Sequence, residues 1–127
     1  MISDDKYIEL ITAAINRLTM EGSEVQWNVQ IERRQFDVLA VIRVGLYEIL
    51  MAFEVKDKKR PISVELMDAF VTKASDAKVN KAVFVSTTGY QRGAIEVARR
   101  HGIELFKLSF ENEHLRLPPI TVLAGDG

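Results

Sequence analysis

Phe36-Asp37-Val38-Leu39-Ala40-Val41-Ile42-Arg43-Val44, then Gly45, then Leu46 through Phe53-Glu54-Val55-Lys56, is the stretch whose reading decides the fold. Its first run is almost continuously apolar, as expected of a central strand. Gly45 supplies a turn, and the second run returns as the paired strand. Side chains on a strand alternate faces, so Glu54 and Lys56 point one way while Val55 points into the protein. On an antiparallel neighbour, Asp37 comes diagonal to Glu54 and within reach of long side chains. Two carboxylates at the end of such a pair make an oxygen-ligand site for a hard divalent cation, with waters left over for chemistry. Lys56 beside them can orient an attacking water and offset charge building on a phosphate.

Upstream, Val25, Trp27 and Val29 alternate with polar neighbours and predict a half-buried strand. A first helix is expected over residues 4 to 20. Ser3 serves as its N-cap, Asp4 and Asp5 favour its dipole, Ile2 staples to Tyr7, and Ile8, Ile11, Ala14, Ile15 and Leu18 form one buried face. Downstream, Pro61 breaks the chain. Ser63 then caps a second helix with a core stripe of Met67, Phe70, Val71 and Ala74.

The last third reads as a β-α-β unit. Lys81 to Ser86 is a short buried strand, Thr88 with Gln91 forms a capping box for a third helix, and Gly102 ends that helix before the strand Ile103 to Phe106. Strands joined through a helix run parallel with a right-handed crossover. The expected architecture is α/β, a mixed sheet with helices on both faces. Residues 109–127, with Pro118-Pro119 and Gly125-Asp126-Gly127, read as an extended tail or arm after one domain over 1–108.

With 127 residues and 47% hydrophobic content, the chain suits one compact domain. It has no cysteine, which removes disulfides and thiolate metal sites from consideration. No apolar run approaches the roughly 20 residues that span a bilayer, and Met1-Ile-Ser-Asp-Asp5 is no signal peptide, so a cytoplasmic protein without membrane attachment is expected. The net charge of −1 argues mildly against nucleic acid. Distribution matters more: Lys56, Lys58, Lys59 and Arg60 fall directly after the carboxylate pair. Such a run is either a solvated loop or a phosphate-binding one, and its position favours the second.

Two further features carry a resemblance. The order helix-β-β-β-helix-β, with Asp37 on the second strand and Glu54-Val55-Lys56 on the third, resembles the PD-(D/E)xK nuclease superfamily. Phe53 to Asp57, Lys59 to Val64, Val83 to Tyr90 and Gly102 to Leu105 are similar to its Mrr-like restriction endonuclease branch. The resemblance covers residues 4 to 108. It implies a restriction-endonuclease-like three-layer α/β/α sandwich with a mainly five-stranded mixed sheet. It also implies metal-dependent hydrolysis of DNA phosphodiesters, with Mg2+ the usual ion and Mn2+ a substitute. Asp37, Glu54 and the Val55 backbone carbonyl would hold the metal, Glu9 would assist through water, and Lys56 would position or activate water. The chain departs from the family pattern at Ile8, before Glu9, and at Phe36, where no proline precedes Asp37. A duplex cutter needs two sites, so a homodimer is expected. The alternatives are a non-catalytic nucleic-acid-binding or assembly module of the same fold, and a structure-selective junction resolvase.

Other residues admit two readings each. Lys73, at the edge of the second helix's stripe, either snorkels or reaches a DNA phosphate. Ser86, Thr87 and Thr88 cap a helix or cradle an anion. Trp27 and Tyr90 pack or stack on bases. Glu48 shares the face of Glu54 by even spacing, as an exposed strand charge or a supporting acid. His101 and His114 have no histidine or cysteine at ligand spacing and are not expected to bind metal.

Overall fold

The computed structural model describes Thr12, Ile15, residues 23–111 and residues 114–116. Ser3, the Ile2–Tyr7 staple and Glu9 lie outside the described residues, while Thr12 and Ile15 are helical as expected. Five strands form one sheet in chain order: β1 (Glu24–Ile31), β2 (Arg34–Val44), β3 (Tyr47–Lys56), β4 (Lys81–Ser86) and β5 (Glu104–Lys107). β1 to β3 make an antiparallel meander, and β3, β4 and β5 run parallel. Helix α1 (Val64–Ala77) joins β3 to β4, and α2 (Arg92–Arg100) joins β4 to β5.

Both crossovers step the same way across the sheet, so right-handed connections place both helices on one face. A single buried cluster accordingly holds Met67 and Phe70 of α1, Val97 and Ala98 of α2, and Phe36, Ala52, Phe84 and Leu105 from the strands. On the other face a second cluster gathers Val38, Ala40, Phe53, Val55, Val83, Val85 and Phe106 around Ile15. Apolar packing on both faces of a mixed sheet is the α/β architecture expected from the chain.

Residues two apart on a strand should share a face. Phe36 and Val38 do not, since one lies in each cluster. β1 changes face too: Val29 packs against the first cluster and Val25 against the second. The change falls between the paired rungs Trp27↔Val38 and Val29↔Phe36, where Asn28 adopts φ 52°. The alternation expected through Val25, Trp27 and Val29 therefore breaks at Asn28, because a left-handed residue rotates the strand about its own axis. The rotated hairpin end settles against α1, where Arg34 meets Asp76 at 2.8 Å.

Ser63 caps α1 as predicted, accepting from the Leu66 N–H at 3.3 Å. The Thr88–Gln91 capping box does not form. Gln91 occupies the N-cap of α2 without a side-chain bond, because the Thr88 hydroxyl donates instead to the Arg60 carbonyl at 3.0 Å. Both helices end in a Schellman-type arrangement. In α2, Ile103 N–H reaches Ala98 O at 2.9 Å past Gly102 at φ 68°. In α1, Val79 N–H reaches Ala74 O at 3.4 Å past Lys78, a non-glycine residue at φ 56°. Left-handed backbone costs an L side chain about 1–2 kcal/mol, and the entropy of glycine returns part of that gain. Lys78→Gly is therefore expected to raise stability by roughly 1 kcal/mol, read as a higher urea midpoint at unchanged m-value. An unmoved or lower midpoint would show that Lys78 carries no strain.

Within the segment expected as an extended tail, Ser109–Glu111 (β6) and His114–Arg116 (β7) pair antiparallel in a separate two-stranded sheet. Among the described residues, no helix is long and apolar enough to cross a membrane.

Candidate active site

The β2–β3 ladder runs from Val44↔Tyr47 to Val38↔Phe53 and stops there. Beyond it β2 continues with β1, while β3 continues with β4 through Glu54↔Phe84, Val55↔Val85 and Lys56↔Ser86. The strands thus part where β2 rotates, with Asp37 on one arm and Glu54 to Lys56 on the other. Asp37 does not simply lie diagonal to Glu54. It bridges the parting, since Oδ2 accepts the Val55 N–H at 3.0 Å in place of a backbone acceptor on β2. The Val55 carbonyl leaves the strand on the same side as its N–H, toward Asp37.

Glu54 lies on the α1 face in step with Ala52, whereas Val55 is buried in the opposite cluster. Its carboxylate is only 12% exposed and is flanked by two ammonium groups. Lys73 Nζ donates to Oε1 at 2.9 Å, and Lys56 Nζ stands 3.9 Å from Oε2. Lys73 also donates to the Gln35 carbonyl at 2.7 Å and sits 5.0 Å from the centre of the Phe36 ring. Its charge is thereby engaged inside the site, 19 residues along the chain from Glu54. The sequence marked Lys73 only by its place at the stripe's edge, and nothing local signalled this pairing.

Hard oxygen donors suit a small divalent cation, and one or two carboxylates suffice for magnesium. Asp37, Glu54 and the Val55 carbonyl are oxygen donors of that kind beside the end of the β2–β3 ladder, and the Val55 N–H orients the Asp37 carboxylate. No group of three or more His, Cys, Asp or Glu side chains at metal-binding distance occurs among the described residues.

The basic run is fastened at its two ends. Asp57 accepts the Thr87 hydroxyl at 2.8 Å, and the Lys56 carbonyl accepts the Thr87 N–H at 3.1 Å. Arg60 O accepts from Thr88, and Ile62 exchanges bonds with Gly89 O and Gln91 N–H at 2.9 Å each. Between these fixings Lys58, Lys59 and Arg60 are exposed. The hydroxyls of Ser86, Thr87 and Thr88 bind each other and this loop, and none of them caps α2.

The remaining candidates fall elsewhere or are packed. Tyr90 meets Phe84 edge to face at 5.9 Å, and its hydroxyl lies 3.0 Å from Phe84 O and 2.7 Å from Phe106 O. Burial pushes that phenol far above its ordinary value, so it stays a neutral donor. Trp27 is 42% exposed on the edge strand. Glu48 pairs with Arg43 at 3.4 Å, six residues up β3 from Glu54, about 20 Å along the strand. His101 lines a groove with Asn80 and Lys81 at the start of β4, the end opposite Ser86.

The sequence profile described as restriction endonuclease, the Mrr catalytic domain, matches residues 5–109. The chain belongs to the restriction endonuclease family. Among solved structures it is similar to a protein of unknown function, AF1548, with TM-score 0.64 and 18% identity over 84% of this chain and 60% of that one. It is also similar to a repair endonuclease from Pyrococcus abyssi, with TM-score 0.62 and 17% identity over 85% and 48% of the two chains. The DNA modification-dependent restriction endonuclease AspBHI follows, with TM-score 0.58 and 16% identity over 80% and 28%. At these identities the likeness is one of fold, and the chain spans 28% to 60% of the lengths of these three. No curated protein sequence matches the chain. The restriction-endonuclease-like sheet is the frame on which Asp37, Glu54 and Lys56 are placed.

Proposed function

We propose that this restriction endonuclease domain hydrolyses DNA phosphodiesters with magnesium. The observation that supports the reading is the end of the β2–β3 ladder at Val38↔Phe53, where Asp37 Oδ2 accepts the Val55 N–H and Glu54 and Lys56 flank Val55 on β3. Asp37, Glu54 and the Val55 carbonyl would hold the ion, with Mn2+ able to replace Mg2+. Once bound, it would supply Lewis acidity at the scissile phosphate. Lys56 is 31% exposed, and its ammonium stands 3.9 Å from Glu54. There it orients the attacking water and offsets charge developing on the phosphate. A pair of such sites in a homodimer would cut both strands. Incubating the protein with plasmid, linear, flap and four-way-junction DNA, with and without magnesium, tests this function. Divalent-dependent cleavage supports it, selective cutting of the junction favours a resolvase, and binding without cleavage favours a non-catalytic module.

Lys58, Lys59 and Arg60 would contact backbone phosphates. Each such contact releases counterions, so affinity falls steeply with salt. Changing the three to Ser is expected to weaken DNA binding similarly for all sequences and to flatten the salt slope by about one unit per lost contact. Fluorescence anisotropy in calcium, which suppresses cleavage, measures both. An unaltered slope would leave the run as a solvated loop.

A further inference from the structure

The ammonium of Lys73, not that of Lys56, is the close partner of Glu54. The two nitrogen–oxygen distances are 2.9 and 3.9 Å, and the Lys73 side chain is 18% exposed against 31% for Lys56. A charge-assisted bond this short between two half-buried groups is a strong one. It occupies Oε1 of a carboxylate that, as a metal ligand, also serves the divalent ion. An ammonium and a divalent cation on one carboxylate repel each other across a few ångströms of poorly solvated space.

Lys73 has a second place to rest. The Gln35 carbonyl accepts from it at 2.7 Å, and the rings of Phe36 and Phe70 lie 5.0 and 6.0 Å away, so the charge stays solvated by protein when Glu54 turns elsewhere. Gln35 and Phe36 stand on the rotated end of β2, next to Asp37. The two partners of Lys73 are thus one residue group on each side of the parting between β2 and β3.

We propose that Lys73 is a resident counter-cation that competes with the divalent ion for Glu54. It neutralises the carboxylate while no ion is bound, holds the two arms of the site together, and sets the affinity for the ion below what the oxygen donors alone would give. The inference rests on the assignment of Asp37 and Glu54 as metal ligands.

Titration of Mn2+ into the wild type, D37N, K73M and K73R by calorimetry tests it. K73M keeps the apolar stem over Phe36 and Phe70 and removes the charge, so Mn2+ affinity is expected to rise about tenfold, within the usual span for coupled sites. The ion-free variant should melt lower than the wild type, and saturating Mn2+ should raise its midpoint by more than it raises that of the wild type. K73R, whose guanidinium grips a carboxylate through two bonds, should bind Mn2+ more weakly than the wild type. Should K73M not fold, the K73R arm decides alone. Equal or weaker binding by K73M, or equal or tighter binding by K73R, overturns the proposal while the ligand assignment stands if D37N has lost affinity. Wild-type binding that D37N leaves unchanged overturns the ligand assignment itself, and this inference with it.

Discussion

Asp37→Asn and Glu54→Gln are each expected to lower magnesium-dependent DNA cleavage by about a thousandfold or more. Losing a ligand to a catalytic cation removes several kcal/mol of charge stabilisation, and each 1.36 kcal/mol is roughly tenfold in rate. Amides are the informative replacements here. Asp37→Ala would also strip the Val55 N–H of its 3.0 Å acceptor, at a cost of about 1–3 kcal/mol, and Glu54→Ala would leave Lys73 with the Gln35 carbonyl in place of its carboxylate. The amide oxygen introduced by Asp37→Asn can still accept from Val55, so the chain should keep its fold by circular dichroism while calorimetry shows weakened Mg2+ or Mn2+ binding. Cleavage at the wild-type rate by either variant removes these carboxylates from the active site.

Lys56→Ala is expected to slow cleavage by about 100-fold or more while leaving metal affinity nearly unchanged, the loss typical of one donor aimed at developing charge. Its 3.9 Å contact with Glu54 is long and partly exposed, so removing it should cost stability only a few tenths of a kcal/mol. The two lysines are thus separable by experiment: Lys56 is expected to act on rate and Lys73 on ion affinity. If Lys56→Ala lost metal binding and kept its rate at saturating metal, Lys56 would be structural.

The place of Asp37, Glu54 and Lys56 at one end of a hairpin was legible, because a two-residue period and a glycine turn are local facts. The family order of elements was legible for the same reason. The Lys73–Glu54 pair was not, because it depends on how α1 docks across β3, and helix spacing says only that Lys73 borders the buried stripe. The change of face at Asn28 and Asp37 escaped too. Asn tolerates left-handed backbone, but at an outward position of an apparent alternation Asn28 read as one more polar strand residue, so Val25 and Val29 looked like members of one face. The missing capping box at Thr88 reflects competition: a hydroxyl suited to a helix N-terminus found the Arg60 carbonyl 28 residues away in sequence.

The fastening of residues 56–62 to residues 87–91 has a thermodynamic consequence for any polyanion that engages the basic run. Ordering the backbone of one residue costs about 1–2 kcal/mol, and for Lys58, Lys59 and Arg60 that cost is met when the chain folds. A partner arriving later restricts only their rotamers, at about 0.5–1.5 kcal/mol for each side chain immobilised. Cutting the Thr87–Asp57 and Thr88–Arg60 links would move the ordering cost from folding to association, weakening the complex without touching a single group that meets the ligand.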